Sequence, residues 1–445
     1  MSPNPSPTAQ ALVGWVLESP GRGTLSLILS CLTTIFLCTW VVIHARVYKR
    51  SSLFGLHKLT LFLKTILAPE FIAVEGLQEW TQARRMVKDC AESTGGRLKT
   101  LHAFYIGMLA LRYRTPRGER VVWPNQFTWL LQQGLIDWDD HGLWGLSEES
   151  IRDKSNADGA VKLLALGQVS WFMAQSIMRR VHNLPLSQLE TMTLSYIPLV
   201  ALTYFFWWVK PKDVMTPSII ELPDMLSGQK AMFESKAVSS VFDSEGIGKQ
   251  DSLRTIWYLT PRVFEKEAED KALQEAERKA RQGAKERMAS QEAKQAVARD
   301  VESGESLESK PVLVASTVAK KETVVGYWDP ELYHSRILWP VICLFGASFG
   351  ALHLISWNTV FPTVVELWLW RAAALLSIVS MLIFMQFEKV IVRWGGPLTI
   401  ISLVSPALYL LSRIVMIGGV IASFRAEDPA IYNTYVASTY WVHIL

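Results

Sequence analysis

Apolar residues in this chain are gathered into long blocks that are separated by polar segments. Six blocks reach the roughly 20 residues that a helix needs to cross a bilayer. They cover residues 24–44, 160–178, 188–208, 337–357, 364–387 and 397–424. The pattern predicts an all-α fold, a polytopic transmembrane helix bundle with six firm spans.

Two further apolar stretches leave the number of spans open between six and eight. Residues 59–77 contain Pro69, Glu70 and Glu75, so this stretch is compatible with a kinked span, a re-entrant segment or an interfacial helix. Residues 101–111 are too short to cross alone, since a helix rises only about 1.5 Å per residue. The two stretches either enter and leave the membrane as a pair or form two true spans.

The polar segments divide the chain into regions. Residues 264–299 alternate Ala, Glu, Lys, Arg and Gln without an apolar stripe, which indicates a solvated helix or disorder. We expect a flexible N-terminal segment, an N-terminal membrane region with a Trp-bearing loop on the membrane face, a charged linker, a C-terminal membrane region and a tail. These are residues 1–23, 24–209 with the loop 112–159, 210–336, 337–424 and 425–445.

The basic residues that flank the apolar blocks orient the chain. Most of them fall on the side of the 210–336 linker, with Arg179 and Arg180 as exceptions. The positive-inside rule therefore places this linker in the cytosol and both termini in the lumen. We expect an integral membrane protein of the endoplasmic reticulum or another endomembrane.

Composition agrees with the membrane class and removes several others. Hydrophobic residues make up 50% of the chain and charged residues 19%. The formal charge of +4 is not gathered into a basic stripe, and the four cysteines form no CxxC pair, so nucleic-acid binding, a disulfide framework and a zinc site lack support. The sequence also lacks a Walker loop, a dinucleotide fingerprint and an HExxH motif.

Glu70 and Glu75 are the first candidates for chemistry. A charged side chain at the bilayer centre costs at least about 2.5–3.5 kcal/mol, so embedded acids normally face a cavity, a partner charge or a proton pathway. Neither glutamate has a Ser, Thr, Asp or Asn three residues before it, so a capping role does not explain them. The structural alternative is an interfacial helix whose acids point to water.

Other embedded acids and small residues have structural explanations. Ser187 with Glu190, and Thr363 with Glu366, have the spacing of helix capping boxes. The GxSxG string at residues 346–350 lies within an apolar block and lacks the strand and turn of a nucleophile elbow, so it predicts a packing face.

Two arginines also fall within apolar blocks. A buried guanidinium needs an anion, so Arg413 and Arg371 are candidate substrate-binding residues that would pair with Glu70, Glu75 or a phosphate. For Arg371 we favour snorkelling or pairing with Glu366, whereas Arg413, near the middle of the last block, has no such local partner.

The acidic runs at residues 137–141 and 153–158 are candidate magnesium ligands. Their spacing matches neither an EF-hand loop nor a DDxxD pattern, so capping or solvation is the preferred interpretation, with Asp158 as a cap for the block that follows it. The 18 tryptophans gather at block ends and in the 112–159 loop, as interfacial anchors do. A minority facing a cavity would stabilise a cation through their rings.

Several strings resemble a large set of uncharacterised fungal integral membrane proteins. They are CTWVVIH at residues 38–44, APEFIAVEGLQEW at 68–80, DKSNADG at 153–159, WFMAQSIMR at 171–179, FFWWVKP at 205–211 and the ending WVHIL. More loosely, the number of spans and the embedded acids are similar to the membrane-bound terpene cyclases of fungal meroterpenoid pathways, without an alignable catalytic motif.

The leading functional hypothesis is an intramembrane enzyme that acts on an isoprenoid or similar lipid by acid catalysis. Glu70 or Glu75 would protonate an alkene or epoxide while aromatic rings stabilise the cation, and no cofactor is required. The alternative is a non-catalytic scaffold, transporter-like or accessory protein that binds a protein partner through residues 210–336. Membrane lipids are expected to surround the chain in either case.

Overall fold

The computed structural model describes most of the chain outside its termini and its long polar linker. The described residues are 11–17, 22–47, 51–116, 118–155, 159–237, 274–279, 282–283, 335–389 and 397–434. They belong to two compact units, of which the first combines residues 1–224 with 329–445 and the second covers residues 225–328.

The first unit is mainly helical. Its longer helices are α1 (Thr24–Val42), α2 (Ser51–Leu67), α3 (Pro69–Asp89), α7 (Gly159–Val181), α8 (Gln188–Phe206), α10 (Leu338–His353), α11 (Val364–Lys389) and α12 (Pro397–Ser423). Three shorter helices lie between α3 and α7, namely α4 (Thr100–Gly107), α5 (Pro124–Gln132) and α6 (Glu148–Asp153).

In the second unit, α9 spans Ser227–Ser235. Of the stretch 264–299, which the sequence predicts to be a solvated helix or disordered, residues 274–279 are helical and exposed. Residues 282–283 are also helical, and the remainder of that stretch lies outside the described residues.

Five of the described helices are long and apolar enough to cross a membrane. They are the helices at Thr24–Val42, Gln188–Phe206, Leu338–Ser356, Val364–Ile383 and Val404–Ser423. This supports an integral membrane protein surrounded by lipid. The predicted block 160–178 lies in α7, which is not among the five, and Lys162, Gln168 and Gln175 interrupt its apolar sequence.

Helices α1 and α8 run in the same direction, side by side. Arg22, before α1, forms an ion pair of 2.5 Å with Glu190 in the first turn of α8. At the other end, the rings of His44 and Trp207 lie 5.4 Å apart. Helix α7 runs in the opposite direction beside them. Lys162, near the start of α7, lies 5.8 Å from the ring of Tyr204 near the end of α8. Arg179, near the end of α7, donates to the Pro185 carbonyl just before α8 at 3.0 Å.

Helices α2 and α3 form a hairpin whose tip is Ala68–Pro69. Lys58 on α2 pairs with Asp213, just beyond the end of α8, at 2.5 Å. Further along α2, the Ile66 carbonyl accepts from the Tyr196 hydroxyl in the middle of α8 at 2.5 Å. Helix α3 then returns, since Glu79 pairs at 2.5 Å with Lys210, again beyond the end of α8. The sequence predicts that residues 59–77 and 101–111 either enter and leave the membrane as a pair or form two spans. The chain instead reverses direction within residues 59–77.

The hairpin packs into the core of the bundle. Ala68 and Leu77 belong to a buried cluster with Phe206, Trp339, Ile342, Met381 and Tyr409, which come from α8, α10, α11 and α12. Gly350 confirms the predicted packing face at 346–350, because a Cβ there would lie 2.7 Å from Ile378 Cγ1 on α11. The absence of a side chain lets α10 and α11 approach closely.

The polar loop between α3 and α7 folds on a small sheet that the all-α prediction missed. Strand β1 (Leu111–Thr115) pairs antiparallel with β2 (Gly118–Val121) and parallel with β3 (Ser218–Ile220), in the order β2-β1-β3. Ser218 fixes β3, because its Oγ lies 2.9 Å from the Tyr105 hydroxyl and 2.8 Å from Lys154 Nζ. β3 follows α8, far from β1 in sequence, so local patterning does not indicate this pairing.

His102 makes the same region sensitive to acid. Burial lowers the pKa of His102 to about 4, and Glu148 opposes this while His141 and Lys99 add to it. The folded state therefore binds fewer protons than the unfolded state. The contribution of His102 to the free energy of unfolding is complete above about pH 6.5 and is lost as the pH falls towards about 4. We expect the melting temperature of the wild type to fall between pH 7.5 and pH 5.

His102→Gln is the matched control for this loss. His102 Nδ1 accepts from the Lys99 amide at 2.9 Å, and Gln126 in this chain makes the equivalent bond to the Trp123 amide at 3.0 Å. Glutamine therefore keeps the helix cap but does not titrate, and the variant should lose less stability over the same pH range. An equal loss in both proteins would show that other groups cause the acid sensitivity.

Candidate functional site

Glu70 is buried at the tip of the α2–α3 hairpin. It lies in the first turn of α3, directly after Pro69, and only 1% of the residue is exposed. The Tyr409 hydroxyl of α12 donates to Glu70 Oε2 at 2.6 Å. The other oxygen, Oε1, is buried and has no hydrogen-bond partner among the described residues.

The sequence itself produces the break beside Glu70. Pro69 has no N–H to continue the α2 hydrogen-bond ladder, and Ala68 before it adopts a non-helical backbone with φ −148°. The last carbonyls of α2 therefore need donors from elsewhere. Arg413 supplies them, because its Nε donates to Leu67 O at 2.8 Å and its Nη2 donates to Ile66 O at 3.1 Å.

Arg413 thus occupies the negative end of the α2 dipole and is itself buried, with 2% of the residue exposed. Its guanidinium carbon lies 3.3 Å from the centre of the Phe349 ring. It makes no direct ion pair with Glu70 in the part of the chain that is described. The two groups are joined through Tyr409 and the Leu67 carbonyl, which accepts from both Arg413 and, at 3.4 Å, the Tyr409 hydroxyl.

Arg413 also has an unused donor. Its Nη1 is buried and has no hydrogen-bond partner among the described residues, as for Glu70 Oε1.

His353, at the end of α10, extends the cluster, and the sequence did not single it out. It is fully buried, and its Nδ1 lies 2.7 Å from the Phe349 carbonyl of the previous turn. Its ring packs 4.6 Å from that of Phe349 and 5.4 Å from that of Trp370. No sequence signal separates it from an ordinary core histidine, because Trp370, Arg413 and Glu70 come from other helices.

The remaining predicted residues lie away from this cluster. Glu75 forms an ion pair with Lys64 on the facing helix α2, with 32% of its side chain exposed. Of the two alternatives for Arg371, pairing with Glu366 is wrong, whereas snorkelling stays a prediction. Arg371 donates from Nε and Nη2 to the Trp357 carbonyl at 3.0 and 2.8 Å, and Glu366 pairs with Arg425.

The capping predictions for Glu190 and Glu366 are confirmed. Glu190 Oε2 accepts from the Ser187 amide at 2.9 Å, and Glu366 Oε2 accepts from the Thr363 amide at 3.2 Å. In the acidic loop, Asp137 caps the Asp139 amide at 3.0 Å, and Asp139 pairs with Arg97. Asp158, the expected cap of α7, lies outside the described residues.

A family model matches residues 1–102, 141–302 and 330–410, which is most of the chain. The chain belongs to DUF8562, a family of unknown function. The matched ranges include Glu70, His353 and Tyr409, whereas Arg413 follows the last of them. Neither a curated protein nor a solved structure matches the chain. The cluster must therefore be interpreted from its own chemistry.

Proposed function

We propose that the chain is an integral membrane enzyme that acts on an isoprenoid or similar lipid by acid catalysis, with Glu70 as the acid. One observation supports this most directly. Glu70 Oε1 and Arg413 Nη1 are both buried in the same cluster, and neither has a hydrogen-bond partner among the residues that the structure describes. Buried polar atoms are normally satisfied, so two such atoms together favour a bound polar group.

The two unsatisfied atoms favour an oxygen function on the substrate, such as an epoxide or a hydroxyl. Its oxygen would accept a hydrogen bond from Arg413 Nη1 and the proton of Glu70. The C–O bond would then break, and the electron pair would stay on the oxygen. Tyr409 and the charge of Arg413 would stabilise the Glu70 carboxylate that forms.

The surroundings of the cluster are suited to an apolar substrate. Tyr196, Phe349 and Trp370 place aromatic rings around it. Arg413 already lies over the rings of Phe349, at 3.3 Å, and Tyr196, at 5.9 Å, so Trp370 is the ring that would stabilise a cationic intermediate. This arrangement fits the analogy with the membrane-bound terpene cyclases of fungal meroterpenoid pathways.

The same proposal includes a membrane placement. Helix α7 would be the sixth span, because it runs the length of α1 and α8. The α2–α3 hairpin would be re-entrant, entering and leaving on the cytosolic side, because Lys58 and Glu79 pair with residues beyond the same end of α8. Its tip would then carry Glu70 to the middle of an endoplasmic reticulum or other endomembrane bilayer.

Glu70→Gln tests the proposal. The variants replace the native copy, and isoprenoid lipids extracted from wild-type, variant and deletion cells are compared. General acid catalysis contributes about 10²- to 10⁴-fold, so the product should fall by that factor at equal protein abundance. Glu75→Gln is the matched control, because Glu75 lies on the same helix but pairs with Lys64, and it should keep the wild-type product level.

Two results would contradict an enzymatic role for Glu70. Wild-type and deletion cells with the same lipid extracts would remove the activity itself. A Glu70→Gln variant with wild-type product levels would remove Glu70 as the acid. Glu70→Asp guards against simple misfolding, since it keeps a carboxylic acid and should retain measurable product.

A transporter-like role is the second candidate, and the broken hairpin is the observation that favours it. In many transporters, the ends of discontinuous helices bind the substrate near the bilayer centre. The α2 carbonyls and the start of α3 meet in this way at Ala68–Pro69. This role predicts unchanged lipid products in Glu70→Gln cells but altered uptake of a solute into vesicles that contain the purified protein.

A further inference from the structure

We infer that His353 is the base that removes a proton from the substrate after Glu70 has supplied one. This inference rests on the proposed function and adds a second residue to it. It follows from the tautomer of His353, from the position of its free nitrogen and from the contacts that join it to Glu70.

Hydrogen bonding fixes the tautomer of His353. Its Nδ1 lies 2.7 Å from the Phe349 carbonyl, which can only accept, so Nδ1 must carry the proton. In the neutral ring Nε2 is then an unprotonated acceptor. That atom is buried and has no hydrogen-bond partner in the described chain, so its lone pair is available.

The free nitrogen belongs to the same cluster as the acid. Phe349 is the link, because the centre of its ring lies 4.6 Å from that of His353 and 3.3 Å from the guanidinium carbon of Arg413. Arg413 in turn shares the Leu67 carbonyl with Tyr409, which binds Glu70. Acid and base therefore belong to one connected cluster of side chains.

An acid and a base of this kind define a class of reaction. Glu70 gives a proton to the substrate oxygen, the C–O bond breaks, and the resulting cation forms a new C–C bond or rearranges. His353 Nε2 then takes a proton from carbon, and the C–H electron pair becomes a C=C bond. With an epoxide substrate, the oxygen stays on the carbon skeleton as a hydroxyl and the protons taken up and released are equal, so the product is an isomer of the substrate. Proton return from His353 to Glu70 completes the cycle.

His353→Asn is the informative variant. The asparagine amide can still donate to the Phe349 carbonyl, as Nδ1 does, but it has no group in place of Nε2. His44→Asn is a matched control, because His44 is also buried, with Nδ1 2.7 Å from the Val42 carbonyl and no described partner for Nε2. Its ring contacts Trp207 instead of this cluster.

Lipid extracts of native cells carrying each variant are compared by mass spectrometry. With His353→Asn, substrate consumption should continue, while the isomeric product falls at least tenfold and products heavier by one water appear, because water captures the cation. With His44→Asn, the products should match the wild type. His353→Gln repeats the test if the asparagine variant does not accumulate.

The outcomes separate this inference from the function on which it rests. If Glu70→Gln abolishes consumption but both His353 variants give the wild-type ratio of products, His353 is not the base and Glu70 remains the acid. If Glu70→Gln leaves consumption unchanged, the proposed function itself fails. A loss of all products that parallels loss of protein in both His353 variants would assign His353 a structural role only.

Discussion

Arg413→Leu is expected to destabilise the bundle by about 3–5 kcal/mol, the range found when one member of a buried charged network is removed. Two carbonyls at the end of α2 would lose their charged donor. Glu70 would also lose the nearby positive charge. Since whole proteins are stable by only about 5–15 kcal/mol, we expect a large fall in melting temperature in detergent, measured by tryptophan fluorescence.

Arg371→Leu is the control for removing an arginine from an apolar helix. Within the described part of the chain, its guanidinium donates only to the Trp357 carbonyl and stacks on Trp357 and Trp368, so we expect a much smaller loss of stability. The double variant Arg413→Leu with Glu70→Gln no longer buries an uncompensated acid. Its free energy of unfolding should therefore be about 1–3 kcal/mol higher than that of Arg413→Leu alone. Equal losses for Arg413→Leu and Arg371→Leu would refute the capping role of Arg413.

The sequence predicted the helices of the membrane region well because their signal is local. Long apolar blocks locate the spans, and the Ser187 and Thr363 capping boxes locate two helix starts within a few residues. Pro69 also marked the interruption in residues 59–77. Pro69 alone does not show whether the chain bends or reverses direction within residues 59–77, because contacts with α8 decide between the two.

The cluster was predicted in part, for a related reason. Glu70 and Arg413 stand out because a charge in an apolar block is rare. Tyr409, Phe349 and His353 do not, since each is an ordinary residue of an apolar helix until tertiary packing brings it next to them. Glu75 carries the same sequence signal as Glu70, and only the fold gives it Lys64 as a partner.

Lys210 illustrates how the other end of the hairpin is held. It is 3% exposed, and its Nζ lies 2.5 Å from Glu79 Oε2 and 4.1 Å from the centre of the Trp207 ring. Burial lowers the pKa of Lys210, although the charge and hydrogen bond of Glu79 oppose this. The ion pair therefore does not fully compensate the loss of hydration of the ammonium group.

Lys210→Met should destabilise the protein by about 2–3 kcal/mol, somewhat below the roughly 3–5 kcal/mol for a fully buried pair, because Glu79 keeps some contact with solvent. The double variant Lys210→Met with Glu79→Gln should recover wild-type stability or exceed it, since neither charge is then buried. Thermal unfolding of the three proteins in the same detergent measures both effects. A double variant as unstable as the single one would mean that Lys210 stabilises the protein through packing on Trp207 and its contact with the His44 carbonyl, and not through its ion pair with Glu79.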